Sequence, residues 1–407
     1  MKKTRFLTCI LSLALVLGFF APLASATPTQ EETAAPAGEI NVYNWGLYIS
    51  DGSDGYIDVN KAFTEATGIK VNYMTYDSNE TMYTKLKTGG ASYDVIIPSD
   101  YMIARLLEED MLEPLNFDNI PNYRYIDDTF KNQDFDPENA YSVPYTWGTV
   151  GLIYNSKYVT DEVVSWETMW DDTYAGKILM FDNPRDAFAI AQFRLGQSIN
   201  TEDETELQAA AELLKEQKPV VQQYVMDQIF DKMESEEAWI GAYYAGDYLF
   251  MAQENPSLSF CFPEEGFNIF IDSLCIPKGA ENKAAAEAYI NFLCNPEISG
   301  QNLDYLGYST PITEAKQYMD SYMAESPIAY PDEETLARAT SFANLSTDAL
   351  QTMEDLWLDV KTDNSASGDS NFILYVGIAI VVVLAAVFIF LNQSKKKKLA
   401  ARKNMNS

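Results

Sequence analysis

Between residues 39 and 361 short apolar runs alternate with amphipathic stretches, and the period of each run predicts an element. Residues 40–44 read as a first strand, 55–66 as a helix and 68–76 (GIKVNYMTY) as a second strand. Asp77-Ser78-Asn79-Glu80 has the form of a capping box, with Asp77 as N-cap and Glu80 three residues on. The helix it opens is expected to run through Lys87 and to stop at Gly89-Gly90. The continuous apolar run 93–99 (YDVIIPS) predicts a buried parallel strand ending in a loop. Helix and strand signals recur over 168–181. Leu207, Ala210, Ala211 and Leu214 place one apolar face on a helix over 202–218, closed by Pro219. Residues 237–253 read as strand, glycine turn and helix, and 267–277 as a strand. A last helix, 282–295, buries Ala286, Tyr289, Ile290 and Leu293 ahead of Pro296. Strands alternating with helices predict an α/β fold.

The two ends follow different rules. A basic start, an apolar run from Phe6 to Phe20 and Ala24-Ser25-Ala26 form a secretory signal peptide, residues 1–26, cut before Thr27. Residues 27–38 (TPTQEETAAPAG) are a polar linker, and 362–371 are a second one. Residues 372–391 carry no charge and are long enough, at 1.5 Å per residue, to cross a bilayer as a helix. Lys395–Lys398, Arg402 and Lys403 follow in a basic tail, 392–407, which the positive-inside rule assigns to the cytoplasm. The expectation is therefore an extracellular or periplasmic domain on a C-terminal membrane anchor.

Charge narrows the partners. The formal net charge is −32, and neither the leader nor the tail contains an acid. So acidic a surface argues against a nucleic-acid partner and favours a cationic ligand. The chain has no histidine, which removes the Ser-His-Asp triad and His-ligated zinc sites. No catalytic residue, metal ligand or cofactor is expected. Cys9 leaves with the leader, and Cys261, Cys275 and Cys294 are read as free thiols, with a Cys261–Cys275 bridge left open.

The candidate chemistry lies where strands end. Trp45 and Tyr48, then Ser99, Asp100 and Tyr101, then Tyr243 and Tyr244, then Phe270 and Asp272 each close an apolar run. Ligands of open α/β sheets bind outside the carboxyl ends of the strands. Rings hold methylene chains and attract cations, while carboxylates take charge-assisted hydrogen bonds from ammonium groups. The matching ligand is a flexible organic cation with apolar spacers.

Eight segments then carry a resemblance. YNWGLY, YDSNETMYTKLKTG, YDVIIPS, YSVPYTWGTVGLIYN, IDSLCIP, AYINFLCNPE, LGYSTP and YPDEET resemble, in order, the solute-binding subunit of spermidine/putrescine ABC transporters over most of 39–360. The resemblance implies a two-lobe periplasmic-binding-protein fold of type II, a "Venus flytrap". Lobe 1 would be 39–149 with 270–317, and lobe 2 would be 150–269 with 318–361. Carried over residue by residue, it implies ligand contacts at Trp45, Tyr48, Ser99, Tyr101, Asp186, Asp272 and Tyr308. Tyr244 and Phe270 stand where the family has tryptophan, Asn183 where it often has Asp, and Gly46-Leu47 where it has Thr-Glu. Two firm acids, Asp186 and Asp272, suit a diamine such as putrescine at least as well as spermidine, and Asp247 would restore a third. The partners implied are the permease and ATPase subunits of an ABC importer. This chain has no Walker A sequence of its own. A receptor for another organic cation, thiamine-like or a quaternary amine, and a polyamine sensor are the alternatives.

Overall fold

The computed structural model describes residues 38–89 and 92–363. In chain order the elements are β1 (Gly38–Trp45), α1 (Val59–Thr67), β2 (Ile69–Tyr76), α2 (Asn79–Thr88), β3 (Val95–Ile96), α3 (Asp100–Glu108) and β4 (Ser142–Asn155). There follow β5 (Ile178–Phe181), α4 (Pro184–Leu195), α5 (Glu204–Gln217), β6 (Val221–Val225), α6 (Ile229–Glu234), β7 (Ile240–Tyr244), α7 (Ala245–Glu254) and β8 (Leu258–Cys261). The rest are β9 (Phe267–Cys275), α8 (Lys283–Leu293), α9 (Pro296–Leu306), α10 (Ser321–Ala324), α11 (Glu333–Leu336), β10 (Ala339–Thr340) and α12 (Thr347–Thr362).

The strands lie in the order β2-β1-β3-β9-β4-β7-β5-β6, with β10 on β9 and β8 on β4. Strands joined by helical crossovers, β1 with β2 and β3, and β5 with β6 and β7, pair in parallel. Strand β4 is antiparallel to its neighbours and changes partner along its length: Ser142–Thr149 pairs with β9, and Val150–Tyr154 with β7. One buried strand thus belongs to both halves of a two-lobe α/β fold.

Alternation in β1 sorts side chains between two cores. Ile40 and Val42 pack with Val95, Ile97, Tyr289 and Ile290 of α8 and Leu303 of α9. Tyr43, on the other face, joins Ile96, Met82 of α2 and Met102 and Leu106 of α3. The helix faces expected from periodicity are interior: Leu207, Ala210, Ala211 and Leu214 of α5, and Ala286, Tyr289, Ile290 and Leu293 of α8, are all buried. All three cysteines described are free thiols, Cys275 and Cys294 buried and Cys261 half-buried.

Several expectations need correction. The cap of α2 is Ser78, whose hydroxyl accepts the Thr81 N–H, and not Asp77. The apolar run 93–99 gives only a two-residue strand, and Ser99 is the N-cap of α3 where a loop was expected. No glycine turn separates β7 from α7, because Gly246 lies inside the helix. Pro296 does not merely end a helix; it is the first residue of α9, capped by Asn295. The fold class is corrected in one part as well, to the two-lobe α/β fold alone, because no described helix supplies the expected membrane span. Among the described residues no helix is long and apolar enough to cross a membrane. Residues 372–391 lie outside the described residues, as do the leader 1–26, nearly all of the linkers 27–38 and 362–371, and the tail 392–407.

Candidate ligand-binding site

Strand ends and helix starts converge on one cavity of about 410 Å³, within the roughly 300–1,000 Å³ usual for small-ligand pockets. All ten residues singled out from the sequence line it: Trp45, Tyr48, Ser99, Tyr101, Asn183, Asp186, Tyr244, Phe270, Asp272 and Tyr308. Six stretches of chain bring them there. Trp45 ends β1, and its indole N–H donates to the Ile97 carbonyl at 2.9 Å, which turns the ring along the wall. Tyr48 follows three residues on, its ring 6.5 Å from Trp45 and 5.3 Å from Tyr308. Phe270 in β9 bridges Tyr244 at 5.6 Å and Tyr308 at 6.3 Å, so the aromatic wall is continuous. Tyr101 in α3 is fixed by donating to Glu80 at 2.9 Å and accepting from the Asn79 amide at 3.0 Å.

The carboxylates are paired with tyrosines. The Tyr48 hydroxyl donates to Asp272 Oδ2 at 2.6 Å, that of Tyr244 to Asp186 Oδ2 at 3.2 Å, and that of Tyr308 to Asp247 Oδ2 at 3.1 Å. Asn183 caps α4 through its side-chain oxygen and gives its amide N–H to Asp186 at 2.7 Å. This geometry explains an Asn where a second acid would repel Asp186. Asp272 sits in mid-strand rather than at a strand end, and no described residue lies within hydrogen-bonding geometry of its Oδ1. Burial raises all three acids: Asp272 to about 6, and Asp186 and Asp247 to about 7. Each hydroxyl bond pulls the other way, and the penalty of dehydrating the charge prevails.

Residues outside the ten add to the acidic character. Asp77, Asp100, Asp182 and Asp227 also line the cavity, making seven aspartates with Asp186, Asp247 and Asp272. Asp100 is buried and pushed up to about 8. Among the described lining residues Arg185 is the one cation; its guanidinium lies 4.3 Å from the Phe342 ring, and Nη2 donates to Asn200 and the Ala343 carbonyl. Asp227 and Phe342 carry no sequence signal that sets them apart, because tertiary folding alone brings 226–228 and 342 to this wall. An aromatic-walled cavity with seven aspartates against one guanidinium attracts cations and holds apolar spacers between them.

Comparison with known proteins agrees with this chemistry. Residues 59–331 match the family model of bacterial extracellular solute-binding proteins. The spermidine/putrescine-binding periplasmic protein of Salmonella typhimurium is 34% identical over 327 residues, 80% of this chain and 89% of that one. Its Escherichia coli counterpart is 36% identical over 296 residues, 72% and 83% of the two chains. Among solved structures, the PotD substrate-binding protein of a spermidine/putrescine ABC transporter from Streptococcus pneumoniae superposes with a TM-score of 0.69 at 36% identity, over 80% of this chain and 99% of that one. On fold, span and identity together, this chain belongs to the bacterial extracellular solute-binding proteins, a family of transport receptors and not of enzymes.

Proposed function

We propose that the protein captures a polyamine, putrescine or spermidine, outside the cytoplasm and delivers it to the permease and ATPase subunits of an ABC importer. The observation that carries this reading is the set of three largely buried Tyr–Asp pairs spaced around one aromatic-walled cavity. Each pair is a socket for an ammonium group: a carboxylate for charge, a hydroxyl oxygen as a further acceptor, and rings for the adjoining methylenes. In this reading Asp272, Asp186 and their partners Tyr48, Tyr244 and Asn183 take the amino groups. Trp45, Phe270, Tyr101 and Tyr308 flank the alkyl chain, and Ser99 completes the wall.

Lobe 1 is inferred to be 39–149 with 270–317, and lobe 2 to be 150–269 with 318–361. Support comes from β4, which leaves β9 for β7 at Thr149/Val150, and from β9, which pairs with β10 at Phe267–Asn268 and with β4 from Ile269 on. Rotation about these strands closes the cleft over ligand. The closed form is then presented to the importer, whose ATPase supplies the energy.

Calorimetric titration with putrescine, spermidine, spermine, thiamine and choline tests the assignment. Binding of polyamines well ahead of thiamine and choline is expected. Absence of both heat and thermal shift with every polyamine refutes it.

A further inference from the structure

Gly246 is the second residue of α7 and is buried. Its backbone does not take a positive φ, so conformation alone places no demand for glycine here. Space does. A Cβ at this position would stand 2.8 Å from the carbonyl oxygen of Gly307, and 2.8 and 2.9 Å from Cδ2 and Cγ of the Tyr308 ring. The contact is reciprocal: a Cβ on Gly307 would meet the Gly246 carbonyl oxygen at 2.9 Å. Gly307 caps α9 in the left-handed region at φ 73°, so it is doubly constrained, whereas Gly246 is constrained by the contact only. The atoms in the way are a backbone carbonyl and the root of a packed ring, neither of which can swing aside cheaply. The residues that follow the two glycines are Asp247 and Tyr308, which form one of the three Tyr–Asp pairs.

We propose that Gly246 is a positioning residue for cation binding: its bare backbone lets the start of α7 dock against the end of α9, and this docking, completed as the cleft closes, brings Asp247 to the Tyr308 hydroxyl. The inference rests on the polyamine reading and on the lobe assignment above, in which Gly246 and Gly307 fall on opposite sides of the cleft. It makes one socket conditional on closure. An alanine in the first turn of a helix is otherwise favourable. The substitution is therefore harmless wherever the lobes are apart and obstructive only where they meet.

The test is Gly246→Ala in the full chain, titrated beside the parent with putrescine and spermidine and followed by small-angle X-ray scattering. The expected result is affinity at least tenfold weaker, reduced ligand-induced compaction, and a ligand-free Tm equal to or above the parent's. Parent-like affinity with full compaction overturns the proposal, and so does a lowered ligand-free Tm with unchanged affinity, which marks ordinary packing. If the parent itself gives no binding, the polyamine reading has failed instead. A second measurement leaves the glycine in place: spin labels at Gln253→Cys on α7 and Glu297→Cys on α9, in a Cys261→Ser background. Their separation should shorten on adding putrescine, and an unchanged separation overturns the proposal whether or not the alanine variant folds.

Discussion

Asp272→Asn separates the cost of the site from its use. The carboxyl lies in the middle of β9, 3% exposed, with a 2.6 Å bond from Tyr48 to one oxygen and, among the described residues, none to the other. Burial holds it at about 6 against an ordinary 3.8. At 1.36 kcal/mol per pKa unit, the ionised group costs the ligand-free protein about 3 kcal/mol at pH 8. The sign follows from the direction. A carboxyl raised in the folded state contributes stability that is present in full below about pH 4 and lost as pH rises through about 6. An amide of the same shape cannot ionise and still accepts the Tyr48 hydroxyl. Ligand-free Tm should therefore rise in the variant at pH 8, and the gain should shrink to about half by pH 5. Binding should move the other way, because the loss of a charged hydrogen bond, about 1.5–3 kcal/mol, weakens putrescine affinity about 10- to 150-fold. Scanning calorimetry at pH 8 and 5 without ligand, and titration at pH 8, read both effects. A variant less stable than the parent at pH 8 that still binds putrescine equally well refutes the reasoning.

Lowering pH from 8 to 5 should weaken putrescine binding in the parent, since free-state values of about 6 for Asp272 and about 7 for Asp186 mean these groups take up protons in this window while the ligand stays charged. The loss approaches tenfold per pH unit for each group below its value, with protons released on binding near pH 6–7; titrations in buffers of different ionisation enthalpy check both, and a flat profile counts against the site. Asp247→Asn should weaken spermidine more than putrescine if the third pair serves a third ammonium, and equal losses assign Asp247 to a group both ligands share. Trp45→Ala should cost about 0.5–2 kcal/mol of affinity, the worth of one cation–ring contact, with little change in Tm because the ring is only partly buried; an unaffected affinity removes Trp45 from the wall. Gly151→Ala should lower Tm by several degrees in thermal melts without a specific effect on binding, because its Cβ would stand 2.2 Å from Phe260 and 2.7 Å from the Cys261 carbonyl in the strand that joins the lobes.

Much of the molecule is legible without coordinates. A period of 3.6 in α5 and α8 marks their buried faces, because an amphipathic helix has only one way to hide its apolar side. The aromatic and acidic clusters read at the ends of apolar runs mark the cavity lining, since Trp45, Tyr48, Ser99, Tyr101, Tyr244, Phe270 and Asp272 all face it. Composition excludes histidine chemistry outright, and the motif blocks identify the family. Local rules were weaker where two residues compete for one role. Asp77 and Ser78 are both good caps, and one residue of register decides for Ser78. The run 93–99 looks like a full strand, yet only Val95 and Ile96 find partners in the ladder.

Tertiary structure decided what depends on distance between remote residues. That β4 serves both halves of the sheet is a matter of which strands reach it. The pairing of Tyr48 with Asp272, 224 positions apart, and the raised values of Asp186, Asp247 and Asp272 come from burial, which no window of sequence reports. So does the arrival of Asp227 and Phe342 at the cavity, and the bare contact of Gly246 with Gly307. Side-chain type and period are local properties of a chain. Dehydration of a charge and the closeness of two backbones are properties of the packed molecule, and these set how the site works.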